Sequence, residues 1–244
     1  MYCQVNYFDV RVGFMTQTTQ NQKSKAQKTA LGIIDMQKGF LPLDAAVEAN
    51  DSEAGYGELP LENGHKLVEV INEVTKKAEQ QNLSIFTTQD WHPQETAHFS
   101  STPDFVDSWP VHCVENTIGA ELYPLLYVPQ TAKKFLKGQE KLIDGKEDTS
   151  YSGVNSCIAS SDQSFENWVT ENEITRLIVI GIALDYCAGK TAIDAANKLG
   201  LETYLVEDTS LAIAEQNRAA IIDDLKANGV KICTSNDIDE LIAD

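Results

Sequence analysis

Two kinds of pattern alternate along the chain from residue 30 onward. Short runs of β-branched and apolar residues occur at ALGIID (30–35), LSIFTTQD (83–90), KKFLKG (133–138), RLIVIGI (176–182), ETYLVED (202–208) and VKICTS (230–235). Between most of them lie stretches with apolar residues at helical spacing: LENGHKLVEVINEVTKKAEQQ (61–81), SDQSFENWVTEN (161–172), DYCAGKTAIDAANKLG (185–200) and AEQNRAAIIDDLKANG (214–229). The last two end in Gly200 and Gly229, each with a lysine in the final turn, which is how a helix C-terminus is usually written. Continuous apolar strands alternating with amphipathic helices predict a parallel sheet covered on both faces. The fold class is α/β: three layers, α/β/α, around a mostly parallel, Rossmann-like sheet of roughly six strands.

Two segments break the alternation. Residues 41–64 and 138–160 are rich in Gly, Ser, Asp and Pro and read as loops; long ordered loops in a compact domain are often lids or binding walls. Residues 1–28 end in a Gln/Thr/Lys-rich run and read as a flexible N-terminal extension. Residues 29–244 suffice for one large core and are expected to form a single domain.

Charge and cysteine usage then exclude several classes. The formal net charge of −18 is spread along the chain and argues against nucleic acid or an anionic membrane as partner. The five cysteines are odd in number and form no C-x-x-C pair, so neither a disulfide framework nor a cysteine-based zinc ribbon is expected. A reducing compartment fits, and with no signal peptide or membrane-length apolar run the cytoplasm is the default. A homo-oligomer is compatible with the sequence but not specified by it.

In an open parallel sheet, ligands bind beyond the carboxyl ends of the strands. Asp35 closes the first strand, Asp90 and His92 follow the second, Lys137 ends the third, and Cys187 lies just after the fourth. Three of the chain's four histidines, His92, His98 and His112, fall within 21 residues, beside Asp90. Imidazole and carboxylate together suit one divalent transition metal ion, Zn, Fe or Mn, and the lack of a thiolate cluster argues against a purely structural zinc; surface loop histidines are the plainer alternative. Cys113 adjoins His112 but need not bind the ion.

Cys187 sits in the first turn of a helix, where the dipole and a neighbouring cation lower a thiol pKa, which makes it a candidate nucleophile. A buried structural cysteine is the alternative, and is the reading for Cys157 and Cys233. Asp35, desolvated at a strand end, is expected to have a raised pKa and to act as general base toward the thiol. Lys137 is the natural cation, with Lys133 and Lys134 as rivals that strand alternation alone does not separate.

The segments IIDMQKGF, TTQDWHP followed by HFS, DSWPVHCVENTIGAEL, FLKG followed by SYSG, and VIGIALDYCAGKTAIDA occur in this order between residues 33 and 195, within a resemblance that runs from about residue 29 to about residue 235. In order and spacing they resemble the nicotinamidase/pyrazinamidase branch of the isochorismatase-like cysteine hydrolases. The resemblance implies a catalytic triad of Asp35, Lys137 and Cys187. It implies metal ligands at Asp90, His92 and His112, with His98 at a position some members use as a further ligand. It also implies a cis peptide between Ile182 and Ala183, an oxyanion hole from the backbone N–H groups of Ala183 and Cys187, and aromatic walls for a pyridine ring at Phe40 and Trp109. Core packing is the alternative for Phe40. The implied activity is hydrolysis of nicotinamide to nicotinate and ammonia through a cysteine thioester, in NAD salvage, with the metal binding the ring nitrogen and pyrazinamide also accepted. Another hydrolase of the same fold, acting on a different small amide or an enol ether, is the alternative. Departures from the family pattern are Gly39, where an acidic residue is common, Ala188 after the nucleophile, and a longer 41–64 segment.

Overall fold

The computed structural model describes residues 27–106, 108–140, 142–143, 146–147, 151–161 and 163–243. Of the N-terminal extension read from the sequence, residues 1–26 lie outside the described residues. In chain order the strands and α-helices are β1 (Thr29–Ile34), α1 (Leu43–Ala49), α2 (Val68–Gln80), β2 (Ser84–Asp90), β3 (Lys133–Lys137), β4 (Leu142–Ile143), β5 (Lys146–Glu147), β6 (Cys157–Ile158), α3 (Phe165–Glu171), β7 (Arg176–Gly181), α4 (Cys187–Lys198), β8 (Glu202–Val206), α5 (Arg218–Ala227), β9 (Lys231–Cys233) and α6 (Ile238–Ile242).

The apolar runs become strands because each is buried on both sides. Successive side chains of a strand point to opposite faces. In β1, Leu31 and Ile33 join a cluster with Ile71 and Val74 of α2 and Ile238 of α6. Ala30 and Ile34 face the other way, into a cluster with Phe165 and Trp168 of α3, Ala188 and Ala192 of α4 and Leu225 of α5. In β7, Ile178 and Ile180 take the first face and Leu177 and Val179 the second. Alternation within an all-apolar strand thus fills two cores and gives three layers.

The sheet order is β6-β3-β2-β1-β7-β8-β9. All neighbours are parallel except β6, which pairs antiparallel with β3. The six expected strands are all present, and the fold is the expected α/β class. The chain builds outward from β1 through β2 and β3, then returns to the other side of β1 with β7. That reversal is the topological switch point, where α/β sheets place their ligands.

Two expectations are corrected. The 41–64 segment holds α1, with Pro42 at its N-cap, Ala45 and Ala46 buried, and Asn50 left-handed at φ 51° as its C-cap. The helix is short and its flanks carry loop composition, so periodicity could not reveal it. The 138–160 segment holds β4 paired with β5, and the edge strand β6; strands of two residues are too short to show alternation. At the other end of the helices, Gly200 (φ 66°) and Gly229 (φ 84°) adopt the left-handed conformation that the C-terminal pattern anticipated. Among the described residues, no helix is long and apolar enough to cross a membrane.

Gly181 ends β7 at φ 103°, and a Cβ there would run into the Ile34 carbonyl oxygen of β1. Gly181→Ala is therefore expected to destabilise the protein by about 3 kcal/mol or more, combining overpacking with a disfavoured backbone region. Chemical denaturation checks this; a loss below about 1 kcal/mol would contradict the close approach of β1 and β7.

Candidate active site

The register of the sheet assembles the site. Asp90 and Lys137 are direct partners at the ends of β2 and β3, so their side chains leave the sheet on the same side. Asp35 is one residue past Ile34, which pairs with Thr88 on one side and Gly181 on the other. Beyond Gly181 the chain passes through a cis Ile182–Ala183 peptide bond to Cys187, the first residue of α4.

Lys137 stands at the centre, with 0% of its side chain exposed. Its ammonium lies 2.8 Å from Asp35 Oδ2, donates to Asp90 Oδ1, and lies 3.3 Å from Cys187 Sγ. Lys133 and Lys134 are exposed at the start of β3, so they are not the buried cation. Thr88 Oγ1 donates to Asp35 Oδ1 at 2.7 Å, which fixes the other carboxylate oxygen.

Burial sets the protonation of this group. It pushes the Asp35 carboxyl above its usual range, against the pull of Lys137. Asp90 goes the other way: burial is outweighed by Lys137 and the neighbouring histidines, and its carboxyl is held well below the usual range. Lys137 is held well above the ordinary lysine value, because two carboxylates outweigh its own desolvation. The Cys187 thiol is also pushed well up, by burial first and then by Asp35 and Asp90. The expectation that the helix terminus and a cation lower this pKa is therefore corrected. Lys137 does pull in that direction, but desolvation next to two carboxylates wins, and the resting group is a thiol beside a carboxylate able to take its proton.

The histidines gather on the other side of Asp90. His92, His98 and His112 each present a ring nitrogen within 4.8 Å of the others. Asp90 Oδ2 lies 3.7 Å from His92 Nε2 and 4.0 Å from His112 Nε2. Asp90 thus belongs to both clusters, giving one oxygen to Lys137 and turning the other toward the imidazoles.

The donor set fits a divalent cation. His92 Nδ1 bonds to the Gly138 carbonyl at 3.0 Å and His112 Nδ1 to the Pro110 carbonyl at 2.7 Å. A carbonyl can only accept, so both rings donate from Nδ1 and turn Nε2 inward. His92 Nε2 is buried without a hydrogen-bond partner. Burial, with the neighbouring imidazoles, holds His98 and His112 at about 4, so both are neutral and free to bind at physiological pH.

One cleft joins the two clusters. Asp35, Cys187 and Ala183 line it together with Asp90, His98 and His112. Phe40 and Trp109 both line it as well, Phe40 with its ring centroid 5.4 Å from that of His112, and Trp109 with its indole N–H donating to the Tyr151 hydroxyl at 2.9 Å. The sequence reading missed Tyr151 and Tyr186, which add to the aromatic lining, and the Leu59–Leu61 stretch, which also lines the cleft. Tyr151 lies in SYSG and Tyr186 directly precedes Cys187, but nothing in their spacing aims them at the cleft. It also missed Gln37, whose buried side chain accepts the Asp90 N–H at 2.8 Å and donates to the Asp90 carbonyl at 2.9 Å. Gln37 lies three residues past Ile34, within IIDMQKGF, and nothing in that spacing aims it at Asp90.

Comparisons with known proteins show the family. The isochorismatase domain model matches residues 29–237. The chain belongs to the isochorismatase family, in its nicotinamidase/pyrazinamidase branch. It is 33% identical over 205 residues to the nicotinamidase of Escherichia coli (strain K12), across 78% of this chain and 93% of that one. Among solved structures it is similar to the pyrazinamidase of Pyrococcus horikoshii in complex with zinc, at 29% identity and a TM-score of 0.66, covering 85% of this chain and 99% of that chain. It is also similar to PnC1 of L. infantum in complex with nicotinate, at 28% identity and a TM-score of 0.67, covering 87% and 95% of the two chains.

Lys137→Ala would leave two buried carboxylates without their cation. The expected loss of stability is about 3–5 kcal/mol, and adding Asp35→Asn in that background should recover part of it. Denaturant titration of the single and double variants checks the coupling; strictly additive losses would contradict a shared counter-ion.

Proposed function

We propose that the enzyme hydrolyses nicotinamide to nicotinate and ammonia, with residues 29–244 acting as one domain. The observation that carries this reading is the shared cleft: a thiol with its base at one side, a set of imidazoles and a carboxylate at the other, and aromatic walls between. Such a cleft suits a flat ring bearing a carboxamide and, meta to it, a nitrogen lone pair. Similarity to nicotinamidases and to a nicotinate complex supports the same substrate class.

In the proposed mechanism Asp35 accepts the Cys187 thiol proton as Sγ bonds to the carboxamide carbon. The new oxyanion is held by the backbone N–H groups of Ala183 and Cys187, the latter in the first turn of α4, where amide groups face outward without helical partners. Asp35 passes the proton to the nitrogen, the C–N bond breaks, and ammonia leaves a thioester on Cys187. Asp35 then takes a proton from an incoming water, whose oxygen bonds to the carbonyl carbon. The C–S bond breaks and the thiol recovers its proton. Lys137 holds Asp35 in place throughout and stabilises negative charge on sulfur. A divalent metal ion held by Asp90, His92, His98 and His112 would supply a Lewis-acid contact for the ring nitrogen and so orient the substrate. Phe40 and Trp109 would flank the ring. Pyrazinamide, with a nitrogen at the matching ring position, is expected as a second substrate.

Ammonia release by the purified protein tests the reading. Nicotinamide is expected to turn over, and Cys187→Ala to lower kcat by about 10⁴-fold or more. Chelation should raise KM for nicotinamide while the far-UV circular dichroism stays unchanged, and benzamide, lacking the ring nitrogen, should be a poor substrate with or without metal. A wild-type protein inert toward nicotinamide but active on a carbamoyl compound or an enol ether would sink the proposal. Activity surviving Cys187→Ala would remove the thioester.

A further inference from the structure

One carboxylate beside the histidine cluster has no part in the chemistry above. Glu58 comes from the 41–64 segment, yet its side chain turns inward and Oε2 accepts the Cys113 N–H at 2.8 Å. Two glycines make the space. A Cβ on Gly39 would stand 2.7 Å from Glu58 Oε2, and one on Gly119 would overlap the carboxylate.

Cys113 is the residue that needs holding. It is not glycine, yet it sits at φ 44°, in the left-handed region that L residues rarely enter without support. It is covalently next to His112, and its carbonyl accepts the His92 N–H at 3.1 Å. The Glu115 N–H returns to the His92 carbonyl at 2.8 Å, closing the pairing. One peptide segment therefore fixes the backbone of two histidines of the cluster, and Glu58 holds that segment at the Cys113 N–H. The residues that follow Glu58 form a wall of the cleft, anchored by the Leu59 N–H to the Gly39 carbonyl and the Leu61 N–H to the Phe40 carbonyl, both at 2.9 Å.

We infer that Glu58 is a positioning residue for the metal site: its carboxylate fixes the Cys113 backbone, and through it His92 and His112, while tying the Leu59–Leu61 wall to the same point. The inference rests on the histidines binding a divalent cation, as proposed above. Gly39 and Gly119 are small because the carboxylate lies between them.

The test is the zinc affinity of metal-free protein, measured by competition with a chromophoric chelator, for wild type and for Glu58→Gln, Glu58→Ala and Glu58→Met. Glutamine keeps an acceptor for the Cys113 N–H and should bind zinc within about threefold of wild type. Alanine and methionine remove the acceptor and should weaken zinc binding about 10- to 100-fold. Methionine refills the space, so its weakened binding at an unchanged metal-free Tm separates positioning from packing and carries the comparison if alanine fails to fold. In the same variants KM for nicotinamide should rise more than kcat falls. Folded alanine or methionine variants with wild-type zinc affinity would overturn the inference, as would a glutamine variant as weak as alanine or a wild type that binds no zinc. A protein that binds zinc but leaves nicotinamide untouched refutes the substrate reading alone, and the affinity series still decides the role of Glu58.

Discussion

A single buried ammonium organises this active site. Lys137 is fully enclosed, and removing a charge from water costs several kcal/mol unless partners replace the solvent. Asp35 and Asp90 are those partners, and each serves a different function. Asp90 gives one oxygen to the ammonium and turns the other to the imidazoles. Asp35 shares the same cation but is bound to Thr88 on its other oxygen, beside the Cys187 thiol. Their pKa values move in opposite directions, Asp35 up and Asp90 down. Two carboxylates in one pocket can thus hold different protonation behaviour, one suited to moving a proton and the other to remaining an anion.

The sheet makes this arrangement inexpensive to hold. Lys137 and Asp90 face each other because their strands are in register, and Asp35 lies one residue beyond the strand that joins them to β7. These positions depend on backbone hydrogen bonding and two packed cores rather than on flexible loops. The loops supply what the sheet cannot: His98, His112 and Trp109 arrive from the connection after β2, and Tyr151 from the connection after β3. Their placement is fixed by particular bonds, such as Cys113 to His92 and Trp109 to Tyr151.

This division explains what could be read from the sequence. The strands and the reactive residues at their ends were legible, because apolar runs are a direct record of two-sided burial and a strand end is one step from the run. Strand alternation alone could not choose Lys137 over Lys133 and Lys134, since that depends on the register between β2 and β3; the family resemblance named it instead. The α1 helix and the strands of the 138–160 segment were hidden by loop-like composition and shortness. The direction of the Cys187 pKa was misjudged because a helix terminus can be seen in sequence, whereas desolvation between two carboxylates cannot. Gln37 and Glu58 were missed for a related reason: each acts on the backbone of a site residue distant in sequence, and no spacing rule reports such a contact.

The central claim is that the buried thiol of Cys187, served by Asp35, takes the acyl group before water does. Partitioning of that acyl group between water and hydroxylamine tests it most directly. If nicotinamide and ethyl nicotinate both pass through one nicotinoyl thioester, they must yield the same ratio of nicotinohydroxamate to nicotinate at a given hydroxylamine concentration, whatever their individual rates. The account predicts equal ratios. Different ratios for the two substrates, or no hydroxamate from nicotinamide, would mean that water attacks the amide directly and that the thiol is not the nucleophile.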